Sequence, residues 1–186
     1  MVIDDAAQIT NLSDAPWEPI DPEVHWVEID LTSVVSGGSR RGISTSGTVV
    51  AVRPDSGIIE RCPECRRVLR DGACGEHGPQ RGGEDLRLRF VIDNGVSNAS
   101  LLLSKDASEA FLGTDQESIK KEISAGSSAD FVASLRERLI AKRLIVKGRS
   151  IVDEQGAMLL ADDVEYDATS AHDAANEVIQ HWGVIL

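Results

Sequence analysis

All three cysteines of this chain fall within thirteen residues, and a histidine follows the last of them by three. The segment reads Cys62-Pro-Glu-Cys65, eight further residues, then Cys74-Gly-Glu-His77. A two-residue gap lets a tight turn aim both members of a pair at one ion. Two such pairs supply three thiolates and one imidazole, a tetrahedral zinc set. Four protein ligands fill the coordination sphere, so the pattern predicts a structural Zn2+ and not a Lewis acid. The stretch 60–82 has little apolar content, and binding the ion is expected to fold it. Arg61, Arg66, Arg67 and Arg70 surround the ligands and favour thiolate. Three competing readings are weaker. A secreted disulfide framework spreads an even number of cysteines along the chain. A redox Cys-x-x-Cys pair belongs in a βαβ setting, and none is read here. Chance clustering of three free thiols and an imidazole is the remaining alternative. His25, His172 and His181 have no partner at ligand spacing; His181 could instead belong to a terminal-helix interface.

Around this segment the chain reads mainly as strand. Pro16, Pro19 and Pro22 oppose helix and central strand in 1–23, which is expected to be an extended or disordered acidic arm carrying Trp17. VHWVEIDL (24–31) fits a short strand, SGGSRRG (36–42) a turn, and ISTSGTVVAVR (43–53) a β-branched strand bent at Gly47. LRLRFVIDNG (86–95) and VSNASLLLS (96–104) read as a hairpin. Helical pattern follows. Ser104 or Asp106 caps a segment through Phe111, Thr114 and Glu117 suggest a capping box, and Phe131, Leu135 and Leu139 form one stripe. RLIVKGRSIV (143–152), the turn DEQG and AMLLADDVEY (157–166) return to strand. SAHDAANEVIQHW (170–182), capped by Ser170, carries the stripe Ala171, Ala174, Ala175, Val178, Ile179 and Trp182.

Without the zinc segment, five strands remain, with helix between the third and fourth. That is the order of the five-stranded OB barrel. The fold class expected is therefore mainly β with α: an OB-fold barrel over 24–167, a zinc ribbon inserted at 58–81, and a C-terminal helix at 168–186.

The net charge of −12 argues by itself against a nucleic-acid partner. Its distribution does not. All nineteen basic residues lie in 40–149, against fifteen acids there; sixteen acids and no basic residue occupy the two ends. A mildly basic middle sits between acidic flanks, and the acid excess resembles that of proteins from salt-loving cells. The groove candidates are Arg61, Arg66, Arg67, Arg87, Arg89, Lys147 and Arg149. In 86–92, Leu86, Leu88, Phe90 and Ile92 share the face expected to be core, and Arg87 and Arg89 share the other, which is expected to point outward. Phe90 is then packing, leaving Trp26 and Tyr166 as the stacking candidates. Aromatics make up only 4% of the chain. Stacking should therefore contribute modestly, and the bland alternative for the arginines is a solvated charged face.

SGIIERCPECRRVLRDGACGEHG (56–78), followed by DLRLRFVIDNG (85–95), resembles the zinc-containing OB domain of archaeal replication protein A, of the haloarchaeal type. The strands RLIVKG and MLLADD within 129–163 extend the resemblance to about 43–166. It implies single-stranded DNA binding in replication, repair and recombination. It also implies partner subunits of the same type, or self-association through the C-terminal helix. The alternative, favoured by the acidity and the few aromatics, is an assembly subunit with little DNA affinity of its own; an RNA-binding zinc barrel is a third. No catalytic constellation, phosphate-binding loop or open metal site is apparent, so no enzyme is expected. The acid pairs Asp4–Asp5 and Asp162–Asp163 need no catalytic role. No apolar run approaches the roughly 18 residues of a membrane helix. The acidic N-terminus lacks a basic leader region, so a cytoplasmic protein is expected.

Overall fold

The computed structural model describes residues 26–169 and 171–183. The arm 1–23 with Trp17, and likewise His25 and Ser170, lie outside the described residues. So do the side chains of Ala171, Ala174, Val178, His181 and Trp182.

In chain order, β1 (Val27–Glu28) is followed by α1 (Leu31–Ser36), β2 (Arg40–Val52), β3 (Gly57–Arg61), β4 (Ala73–Cys74) and β5 (Gly78–Pro79). Then come β6 (Gly83–Asp93), β7 (Asn98–Leu103), α2 (Lys105–Leu112), α3 (Gln116–Ala125) and α4 (Ser128–Leu139). β8 (Arg143–Asp153), β9 (Gly156–Tyr166) and α5 (Ala171–Trp182) complete the described chain. No helix among the described residues is long and apolar enough to cross a membrane.

The strand pairings form a ring. β2 pairs antiparallel with β8 and with β6, β6 with β7, and β8 with β9; β7 and β9 close the circuit in parallel. Alternation explains the core. Ile43, Val49, Leu88, Phe90, Ile92, Leu101, Leu103, Leu144, Val146 and Leu159 all turn inward and are buried. α4 places Phe131, Val132, Leu135 and Leu139 into the same core.

β8 can follow this curve because of Gly148. A Cβ there would meet the Leu160 carbonyl oxygen at 2.2 Å, and the β8–β9 register shifts between Lys147 and Gly148. Gly47 is a close-approach position and not a bulge: its Cβ would lie 3.2 Å from Ile92 Cβ. The register shifts of β2 fall between Arg41 and Ile43 and between Val49 and Ala51.

β2 and β3 run along the same partner, β6, and are broken at Arg53–Ser56. Ser56 replaces the missing pairing: its Oγ donates to the Arg89 carbonyl and accepts from the Arg89 amide. The break positions Asp55 beside the arginines of β6.

Three local expectations differ from the structure. Residues 24–31 do not form one strand, because Asp30 Oδ2 accepts from the Thr32 amide at 2.8 Å and caps α1. That turns Leu31 and Val34 into the core. The expected turn at 36–42 ends early, with Arg40 and Arg41 already paired to β8. At α3, Asp115 is the cap, accepting from the Ser118 amide at 2.7 Å, in place of Thr114. Glu109 Oε1 accepts from the Gln116 amide, satisfying a second free donor of that helix end.

Candidate functional site

The β3–β6 hairpin ends in the cysteine segment, stiffened by the short β4–β5 pair. Cys62, Cys65, Cys74 and His77 each turn one ligand atom inward, and these atoms lie within 4.8 Å of one another. Cys65 Sγ to Cys74 Sγ is 3.6 Å; Cys62 Sγ and Cys74 Sγ lie 3.5 and 3.7 Å from His77 Nδ1. A tetrahedron with Zn–S near 2.3 Å has edges of about 3.8 Å, slightly shorter where nitrogen is one corner. The donor set and its spacing therefore fit zinc.

Backbone geometry prepares the sulfurs as anions. Amides of Cys65 and Glu64 face the Cys62 sulfur and lower its pKa. Amides of Glu76 and His77 do the same for Cys74, holding it at about 6. The Arg67 amide lowers Cys65, but burial and its two thiol neighbours raise it on balance. Hydrogen bonding with Cys74 and Cys62 raises His77. The other ring nitrogen, Nε2, lies 3.7 Å from a Glu64 carboxylate oxygen, the usual outer partner of a ligating imidazole.

The small apolar cluster of this ribbon is Cys62, Leu69 and Cys74, with Cys65 against it. It is too small to fold the segment alone.

Beside the ribbon lies a cleft of about 710 Å³ lined by Asp55, Ile58, Leu69, Arg70, Arg87 and Arg89, among others. Arg89 also borders a second cleft, of about 200 Å³, with Ser100, Ile151, Met158 and the β8–β9 turn residues Gln155 and Gly156. Ile151 in turn borders a third, with Arg40, Arg41, Arg149 and Ser150. Through these shared residues the clefts adjoin one another in a track from the ribbon, past the β8–β9 turn, to the start of β2.

The candidate cations are distributed unevenly along this track. Arg87 Nη2 and Arg89 Nη1 both donate to Asp55 Oδ2 at 2.7 Å. Burial would raise the Asp55 pKa, but the Arg89 hydrogen bond and the charges of Arg89 and Arg87 hold it below the usual value. Arg87 is not outward and free as expected. It is 9% exposed, burial lowers its pKa, and its Nε lacks an acceptor among the described residues.

Arg61 pairs with Asp85, and Arg67 with Glu76. Lys147 donates to Glu165 at 2.9 Å and to Asp163 at 3.4 Å, which raises its pKa. Arg66 is exposed in a left-handed turn (φ 62°), its amide donating to the Cys62 carbonyl. Arg149 is exposed.

Trp26 is half-buried just before β1. Tyr166, 49% exposed, packs on Phe111 with ring centroids 5.4 Å apart. Neither aromatic lines the three clefts. The structure thus brings Arg87, Arg89 and Arg149 to one track and leaves Trp26, Tyr166 and Lys147 off it. Sequence reading missed Asp55, Arg40, Arg41, Ile151 and Met158. The like-charged pair Arg40-Arg41 was the available signal for two of these.

No family model matches the chain, and no curated protein matches it in sequence. Solved structures do. One is a chain of a replication protein A heterotrimer bound to single-stranded DNA. That match has a TM-score of 0.53 at 10% identity, covering 85% of this chain and 40% of that one. A second is yeast replication protein A bound to single-stranded DNA, with a TM-score of 0.50 at 12% identity, covering 86% and 98% respectively. This chain therefore spans about 40% of the length of the first. At these identities the likeness shows a common fold. Together with the closed order of pairings, it points to a fold of the OB type.

Proposed function

We propose that the chain binds single-stranded DNA as a replication protein A-like protein or subunit acting in replication, repair and recombination. In this reading the ring β2–β6–β7–β9–β8 is a five-stranded OB barrel, and the ribbon at its β3–β6 tip holds one structural Zn2+. The observation that carries the reading is the pair of adjoining clefts over β6 and β7, both bordered by Arg89, with the ribbon on one side and the 153–156 turn on the other. OB folds bind oligonucleotides on that face, between the corresponding loops. The two similar structures, both solved on single-stranded DNA, support the same reading. The role is binding and not catalysis.

Cys62, Cys65, Cys74 and His77 would hold the ion, whose contribution is to cross-link the ribbon. Arg89 and Arg149 would contact phosphate. Arg87 and the Ser56 hydroxyl hold Asp55 and Arg89 in place.

One observation favours a second reading, an assembly subunit of such a complex with low DNA affinity. Arg61, Arg67, Arg87, Arg89 and Lys147 are each already paired with a carboxylate. Partner contacts, including those of α5, would then carry the function.

Titrating the full chain into labelled oligo(dT) over a salt series separates the two. The first reading expects binding that weakens linearly in log–log form, with slope about −0.7 per phosphate contact. Absence of binding at any salt, with a stable oligomer present, would select the second.

A further inference from the structure

A single register line crosses the outer face of the ring. Arg89 of β6 is paired with Leu102 of β7, Leu102 with Leu160 of β9, Leu160 with Arg149 of β8, and Arg149 with Arg41 of β2. Directly paired residues point to the same side of a sheet. The five side chains therefore form one rung: arginine, leucine, leucine, arginine, arginine. None of the five is buried. The neighbouring rung, Val91–Ser100–Met158–Ile151, is apolar apart from one hydroxyl.

The two ends of the rung differ. Arg89 shares the Asp55 carboxylate with Arg87, which offsets part of its charge. Arg41 and Arg149 lie directly opposite each other, and both are exposed. Arg40, also exposed, joins them in the same cleft. None of the three forms an ion pair among the described residues. Like charges facing across a ladder destabilise it. Two rungs away on the same strands, Lys147 is compensated by Asp163 and Glu165. In a chain with 31 acids, three arginines stand together at one place without a carboxylate partner among the described residues. An arginine cluster with a cleft in front of it, beside two serines, has the chemistry of a phosphodiester site.

We propose that Arg40, Arg41 and Arg149 form the principal phosphate anchor. The bound strand runs from there across the sheet to Arg89, and its bases lie on Leu160, Leu102, Met158 and Ile151. Aliphatic packing takes the place of aromatic stacking, in keeping with the absence of any aromatic side chain among the described residues that line the track. The path crosses four interstrand steps of about 4.8 Å, roughly 19 Å in all. That suits the lower end of OB site sizes, about four nucleotides. This inference rests on the single-strand-binding reading and adds where the strand is held and by what.

Fluorescence anisotropy with labelled oligo(dT) tests it on the full chain. Four proteins are compared: the wild type, R40A/R41A/R149A, R40K/R41K/R149K, and R138A, which removes an exposed cation on α4. All three arginines of the anchor are exposed, so folding should survive, and circular dichroism checks that. Loss of three contacts predicts affinity falling on the order of a hundredfold at 0.1 M salt, with the log–log salt slope shallower by about two. The triple lysine variant should recover most of the loss, and R138A should stay within about twofold of wild type. Wild-type binding left unchanged by R40A/R41A/R149A, or lowered no more than by R138A, overturns the anchor alone. Failure of the wild type itself to bind overturns the single-strand reading, and the anchor with it.

Discussion

At the scale of single residues, Asp55 governs the ribbon end of the track. One carboxylate oxygen receives both Arg87 and Arg89. It takes one nitrogen of each guanidinium and offsets charge that a phosphate would otherwise meet, so it competes with strand binding. Asp55→Asn keeps the shape and removes the charge. The expected outcome is tighter binding of oligo(dT), with a salt slope steeper by up to about one, read by anisotropy. Cys74 offers a second test. Its thiol is held at about 6 by the Glu76 and His77 amides, so it is a thiolate at neutral pH. Protons compete with the metal for this sulfur. Cys65 and His77, both raised, must lose protons as well, so zinc affinity should rise with pH throughout this range and fall most steeply once Cys74 is also protonated, below about 6, measured by competition with a chromophoric chelator. The gathering of Cys62, Cys65, Cys74 and His77 was legible in the sequence because such a cluster is written in local spacing. Asp55 was not, since its role depends on a strand break that brings position 55 beside 87 and 89.

At the scale of elements, the strands follow alternation closely enough that β6 and β7 could be read almost residue by residue. The misread elements were those where a side chain competes with the backbone pattern. Asp30 converts a strand-like stretch into a helical turn, and Asp115 outcompetes Thr114 as a cap. Burial of Arg87 was hidden for the same reason as Asp55: alternation assigns a face, not what covers it. Two variants test the element-level account. Gly148→Ala drives a methyl toward the Leu160 carbonyl, and overpacking of this kind costs about 1–3 kcal/mol, read by urea unfolding. Phe90→Ala empties a fully buried site beside Phe111 and should cost about 3–5 kcal/mol by the same measurement. In the ribbon, Cys74→Ser or chelation should release one equivalent of zinc per chain by elemental analysis. Amide protection should then vanish in 62–82 while the ring strands keep theirs, because the ribbon's own apolar cluster is so small.

At the scale of the whole molecule, charge is sorted by position. The bulk acidity misleads because several cations are paired one by one with carboxylates, as Arg87 and Arg89 are with Asp55 and Lys147 with Asp163 and Glu165, whereas Arg40, Arg41 and Arg149 gather in one cleft with no carboxylate partner among the described residues. The basic middle of the chain was legible as a segment. Its focus on one edge of the ring was not, because Arg41 and Arg149 are 108 positions apart and meet only through β2–β8 pairing. The most direct test of the account is amide hydrogen exchange of the full chain with and without oligo(dT). Added protection is expected over 87–91, 100–102, 149–160 and 40–41, a footprint that follows the register line across five strands. Protection confined to α5 or the back of the ring, with that line unchanged under saturating oligonucleotide, would contradict it.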